Sequence, residues 1–295
     1  MEIKVYTLNA FAKTDNGGNP AGVVLDADFS SAHDMQKIAA KVGFSETAFV
    51  KKSNKADFKV AFFTPKEEVD LCGHATIATF YLLANKGIIQ VGEYTQETRA
   101  GILNVECRND NVIYMNQRNP EFYEILDKKE IANTLNINED DIMNELPIQI
   151  VSTGLRDILI PIKSLETLYK IRPDFDKISY VSKKQDVIGY HLFTLETEYD
   201  STAHCRNFAP LYGIPEEAAT GTSNGALSCY LYKYGFILGR NTENLVFEQG
   251  YSMKKPSEVL SSLIIHNQKI NEVKVGGIAL NIEEKNINLS DDYPL

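Results

Sequence analysis

Two stretches of this chain are built to one plan, and that repetition constrains the architecture more than any other feature. The first reads FFTPKEEVDLCGHATIATFYLLANKG and the second NFAPLYGIPEEAATGTSNGALSCYLYKYG. Each opens on Phe-x-Pro (Phe63 and Pro65, Phe208 and Pro210), passes acidic residues, and starts a helical run on glycine. Fourteen positions separate Gly73 from Gly87, and fourteen separate Gly221 from Gly235. Matched spacing of this kind is the mark of a duplicated unit. It predicts two similar domains, each holding one long helix.

Between the two copies the pattern alternates over short distances. IKVYTLNAF is rich in β-formers and reads as a strand. AKTDNGGNPAG is a loop and AGVVLDAD a second strand. From Ser31, Met35, Ile38, Ala39 and Val42 fall at helical spacing, and Gly43 is the stop signal. SETAFVKKS and DFKVAFFTP form a predicted hairpin, with the Lys51–Lys55 cluster as its solvated turn. Later segments repeat the theme: NPEFYEILDKKEIANTLNINEDDI with one helix, strand–turn–strand in IQIVSTGLRDILIPI, helices in SLETLYKIRP and DFDKISYVSKKQ, and closing strands from His266. Short, mostly antiparallel strands with a few helices predict an α+β fold rather than a doubly wound sheet.

Composition narrows the function. The 295 residues carry a formal charge of −10, with no basic stripe. A nucleic-acid binder needs such a stripe to neutralise phosphate, so no nucleic-acid partner is expected. No apolar run approaches the roughly 18 residues of a membrane span, and the N-terminus lacks a signal pattern. The four cysteines, Cys72, Cys107, Cys205 and Cys229, have wide, irregular spacings without a CxxC pair. Neither a zinc framework nor a disulfide scaffold is therefore expected, and the reading is a cytoplasmic protein with reduced thiols.

The chemistry concentrates at the two helix starts. A helix leaves its first amides unpaired and its N-terminus partly positive, so small residues there let an anion approach. Gly73 and Ala75 supply that opening in the first copy, Gly221 and Ser223 in the second. His74 sits at the mouth of the first helix, and Glu217 stands just ahead of the second. Thr and Ser are also ordinary helix caps, and a lone histidine is usually structural. Glu46 lies among Phe44, Ala48 and Phe49. A carboxylate in an apolar pocket would have a raised pKa suited to proton transfer near neutral pH. Cys72 beside His74 suggests a thiol–imidazole pair, although a free cysteine is more often a small buried hydrophobe. DNGGNPAG lacks the Lys-Ser/Thr of a P-loop, and no histidine falls in a metal-binding motif.

Taken together, NAFAKTDNGGNPAGVVLDAD, MQKIAAKVGFSETAFV, FFTPKEEVDLCGHATIA, VSTGLRDILIPI, RNFAPLYGIPEEAATGTSNGALSCYLYKYG and LVFEQG resemble the PhzF-like phenazine-biosynthesis family, with its diaminopimelate epimerase-like fold. The resemblance implies two similar domains, each a barrel-like curved sheet around one central helix, with the active site in a cleft between them. On this reading 1–118, completed by 275–295, forms one domain and 119–274 the other. It implies catalytic roles for Glu46, His74, Glu217 and Thr222, and substrate contacts at Gly73, Ala75, Gly221 and Ser223. It implies no metal, no organic cofactor, a small carboxylate-bearing substrate and a homodimer. Glu217 stands where the family usually has Asp, Thr222 where it has Ser, Ala218 where it has Pro, and Lys255 where Arg is common. The epimerases of this fold keep a cysteine at each helix start. Here Cys72 holds the first such position and Thr220 the second, which disfavours two-base racemisation. The expectation is a proton-moving isomerase. An epimerase or racemase and a silent ligand-binding protein are its rivals.

Overall fold

The computed structural model describes residues 2–239 and 241–289. The chain divides into two compact units, Met1–Asn116 with Gly276–Leu295, and Gln117–Val275.

In the first unit the strand Ala279–Asn288 pairs antiparallel with Glu2–Ala10, which pairs antiparallel with Asn19–Val24. The next join, to Thr47–Lys51, is parallel, and Phe58–Phe63 follows antiparallel as the second arm of the hairpin. A second parallel join leads to Gly92–Thr98, then antiparallel joins to Gly101–Cys107 and Ile113–Asn116. Parallel neighbours need a crossover, and helices supply both. α1 (Ala32–Val42) spans the first join. It begins at a capping box in which Ser31 and Asp34 satisfy each other's amides, and ends at Gly43, whose φ of 72° a side chain would resist. α2 (Gly73–Asn85) spans the second.

α2 explains why the sheet curves. An amphipathic helix lies on a sheet, but α2 is apolar almost all round and must be surrounded. Ala75, Ile77, Ala78, Phe80, Leu82 and Leu83 are all buried. The helix touches strands from both ends of the ladder, including Glu2–Ala10, Gly101–Cys107 and Ala279–Asn288. Its two buried threonines, Thr76 and Thr79, return their hydroxyls to the carbonyls of Cys72 and Ala75.

The second unit repeats the order of senses. Gln149–Ser152 pairs antiparallel with Arg156–Pro161, and Gly189–Thr194 joins parallel. Ala203–Ala209 is antiparallel, Leu245–Gln249 parallel, and Ser257–His266 antiparallel. α4 (Leu165–Lys170) and α5 (Phe175–Gln185) span the first parallel join, and α6 (Gly221–Lys233) spans the second. α6 has thirteen residues, as α2 has. It is buried from Ser223 to Leu231 and touches Gln149–Ser152, Arg156–Pro161 and Ser257–His266. On the other side of these strands, α3 (Lys128–Leu135), α4 and α5 close a second core around Ile131, Leu135, Ile158, Ile160, Leu168, Ile178 and Leu192. The repetition announced by the two glycine-to-glycine runs therefore extends to the strand pairing of both units.

Close strand approach fixes one glycine in each first parallel pair. A Cβ on Gly22 would lie 2.7 Å from Thr47 Oγ1, and one on Gly189 only 2.0 Å from the carbonyl oxygen of Phe208. One sequence expectation changes: Glu121–Ile125 forms a strand ahead of α3. His204 lies inside the buried strand Ala203–Ala209. Among the described residues no helix is long and apolar enough to cross a membrane.

Candidate active site

The two central helices begin alike. Cys72 is the N-cap of α2 and Thr220 the N-cap of α6, both with extended backbones and neither giving a side-chain cap. Neither helix has an acidic residue in its first turn. Both starts thus keep the positive potential that an N-terminus presents. A Cβ on Gly73 would meet only the Met115 sulfur, at 3.7 Å. Ala75 is fully buried.

At the α2 start three groups from two elements converge. Glu46 precedes the strand Thr47–Lys51, Cys72 caps the helix, and His74 lies in its first turn. The Glu46 carboxylate is 3.1 Å from His74 Nε2, with side chains 20% and 12% exposed respectively. Cys72 Sγ lies 3.5 Å from His74 Nδ1 and 3.8 Å from Nε2, and Ser45 Oγ is 3.4 Å from Nε2.

The electrostatics differ from the sequence expectation. Burial pushes the Glu46 pKa up, but the hydrogen bond and charge of His74, helped by Ser45 and Cys72, outweigh it and hold the carboxyl below its ordinary value. Burial likewise opposes a charged His74, yet Cys72 and Glu46 hold its pKa well above that of a free histidine. Burial raises the pKa of the Cys72 thiol, against the charge and hydrogen bond of His74. The raised carboxyl pKa predicted from an apolar neighbourhood is thus corrected to a lowered one. The reason is a partner 28 positions away in the chain.

The α6 start is polar and more tightly held. Gln249 donates to Thr220 Oγ1 (3.0 Å) and to the Glu217 carbonyl (2.9 Å), and its own carbonyl accepts from the Thr220 amide and from Asn224. Thr222 is half-buried, and its carbonyl accepts from Thr153 Oγ1 at 3.1 Å. Glu217 ends the strand Ile214–Glu217, also half-buried. Ser223 is buried with its hydroxyl turned inward, donating to Asp157 at 2.6 Å. Its side chain is thereby occupied.

Sequence reasoning missed what lies beneath this start. Asp157 is 2% exposed. Burial, with the nearby Glu217 charge, pushes its pKa up to about 7, against the Ser223 hydroxyl and the Gly189 amide. Asn207 donates to Ser223 Oγ and to His191 Nδ1, while His191 Nε2 meets Asn224 Oδ1 at 3.2 Å. Burial pulls His191 down to about 4, so it is a neutral imidazole with the proton on Nε2. The units also diverge here. Asp157 and Gly189 form the first rung of one parallel pair, and Gly22 and Thr47 that of the other. The buried acid of the second unit therefore stands where the first has glycine.

Two units, each a curved sheet around a central helix, are the architecture of the epimerase-like fold class. The sequence profile of the phenazine biosynthesis-like protein family (PhzC-PhzF) matches residues 8–285, and the chain belongs to that family. It is 38% identical over 265 residues to YfhB of Bacillus subtilis, named as an uncharacterized isomerase, covering 88% of this chain and 89% of the relative. The crystal structure of a PhzF-family protein from Bacillus anthracis superposes with a TM-score of 0.86 at 32% identity, covering 98% of this chain and all of that one. The trans-2,3-dihydro-3-hydroxyanthranilate isomerase of Pseudomonas chlororaphis is 29% identical over 284 residues, 92% of this chain and 94% of its own.

Proposed function

We propose that this isomerase moves a proton between two carbons of a small carboxylate substrate, with Glu46 as the single acid–base group. The observation that carries the proposal is the Glu46–His74 pair, 3.1 Å apart beside an uncapped helix start. A carboxylate ionised at neutral pH is the form that accepts a proton from carbon. The imidazolium beside it balances negative charge as that charge builds on the substrate. Amides of Gly73, His74 and Ala75, which have no carbonyl to bond within the helix, suit the substrate's carboxylate. In this reading Glu217, Thr222 and the amides after Gly221 also contact substrate, in a cytoplasmic homodimer.

The Pseudomonas relative is named for a hydroxyanthranilate, a small carboxylate. That name supports the reaction class, while the Glu217 and Thr222 departures argue for a different substrate. Racemisation by two opposed thiols has less support, because Gln249 already ties up the Thr220 hydroxyl that faces the role.

The test is solvent exchange. The protein is incubated in D2O with candidate carboxylates, and deuterium on carbon is followed by NMR. Deuterium on carbon together with a shifted double bond is expected, with Glu46→Gln slowed by at least about a hundredfold. Undiminished exchange in Glu46→Gln would remove Glu46 from the chemistry. Loss of optical activity without constitutional change would replace isomerisation by racemisation.

A further inference from the structure

We infer that Glu46, Cys72 and His74 form a binding site for a soft divalent cation of the Zn2+ class, and that such an ion switches this site off. No single segment of the chain shows it, because the three residues come from two elements with no metal motif between them. Brought together, their ligand atoms all lie within 4.8 Å of one another. Tetrahedral zinc bonds of about 2.3 Å to sulfur and about 2.0–2.2 Å to nitrogen and oxygen require ligand–ligand edges of about 3.4–3.6 Å. The observed separations are 3.8 Å from Cys72 Sγ to His74 Nε2 and 3.1 Å from His74 Nε2 to Glu46. Cys72 Sγ also lies 3.5 Å from Nδ1, beside the ring rather than beyond Nε2, so an ion on Nε2 would be reached by turning the Cys72 side chain about its Cα–Cβ bond.

The donor set also chooses the metal. Thiolate, imidazole and carboxylate together favour Zn2+ and its neighbours over Mg2+ and Ca2+, which prefer oxygen alone. As ligands Cys72 is a thiolate and His74 a neutral imidazole, so coordination is favoured as pH rises. The resulting thiolate, carboxylate and Zn2+ sum to zero charge, which suits a site this far from water. The positive end of α2 works against a cation, and the two anionic ligands offset it. Partial exposure of Glu46 and His74 leaves the ion a way in. Once bound, it occupies the same two groups that the proton shift uses. That consequence for activity rests on the proposed function, whereas the binding itself does not.

The experiment separates the two. Full-length protein, stripped with a chelator, is dialysed against Zn2+ and assayed for bound metal; a parallel sample takes Co2+ and is read for the near-ultraviolet thiolate-to-cobalt charge-transfer band. One Zn2+ per chain and a band that vanishes in Cys72→Ser but persists in Cys107→Ser are expected. Glu46→Gln should weaken Zn2+ more than about tenfold, and excess Mg2+ should not displace it. Circular dichroism confirms that each variant is folded, so a misfolded Cys72→Ser leaves the Glu46→Gln arm decisive. Zn2+ binding that both variants retain, or Co2+ uptake without the band, would overturn the site. Zn2+ bound as expected with exchange activity unimpaired would refute the switch and leave the site standing.

Discussion

Replacing Asp157 by Asn should change how the stability of this protein depends on pH. The carboxyl is buried and its pKa is pushed from 3.8 to about 7. A buried acid with a raised pKa binds its proton more tightly in the folded state than in the unfolded one. Between the two pKa values the native chain therefore holds more protons, and stability falls as pH rises. The full shift, about 3.2 pK units at about 1.36 kcal/mol each, comes to about 4 kcal/mol. Of this, about 2–3 kcal/mol falls between pH 5 and pH 8. Asn has the shape of the neutral acid and does not titrate. Urea denaturation followed by circular dichroism at both pH values, for parent and variant, isolates the effect as a difference of differences. Any fixed cost of re-forming the Ser223 hydrogen bond cancels. The variant should gain about 2–3 kcal/mol on the parent on going from pH 5 to pH 8. Parallel pH dependences for the two proteins would refute the reasoning and show Asp157 ionised at neutral pH.

Two further outcomes follow from buried contacts. Glu248 accepts from His204 Nδ1, the amides of Glu198 and Tyr199 and the Ser201 hydroxyl. Burial opposes its charge, but these partners hold its pKa at about 2. Its contribution of about 3 kcal/mol is present above pH 4.5 and is lost as pH falls toward 2, so Glu248→Gln should cost about that much at pH 7 and about half by pH 3 in denaturant titrations; an equal gap at both would count against it. Gly189→Ala should lower stability by at least about 3 kcal/mol, read as a shifted urea midpoint, because the added carbon meets the Phe208 backbone rather than a movable side chain. An unshifted midpoint there would contradict the strand spacing.

The features legible in the sequence were those carried by local pattern. Glycine starts, apolar helix runs and alternating strands announced the α+β class and the doubling, because each is set by residues within a few positions. Glu46 and His74 could be singled out as residue types in suggestive places. Their shared electrostatics could not, since a pKa depends on what folding brings near and on the balance of burial against charge. Asp157 and His191 left one faint trace: each is a titratable side chain inside a strongly apolar strand, DILIPI and GYHLF. A buried acid or imidazole in such a run must be neutral or partnered. Ser223 illustrates the converse. Its position at a helix start suggested a substrate contact, and only the structure reveals the inward neighbour that claims its hydroxyl.

The pairing of Glu2–Ala10 with Ala279–Asn288 has a consequence for biosynthesis. A ribosome makes the partner of that strand only after the whole of the second unit. Until then the first unit carries an open ladder edge, a surface that recruits other extended chains. The second unit is continuous in sequence and has no such wait. The nascent chain should therefore be most exposed to chaperones, and to mispairing, through the first unit.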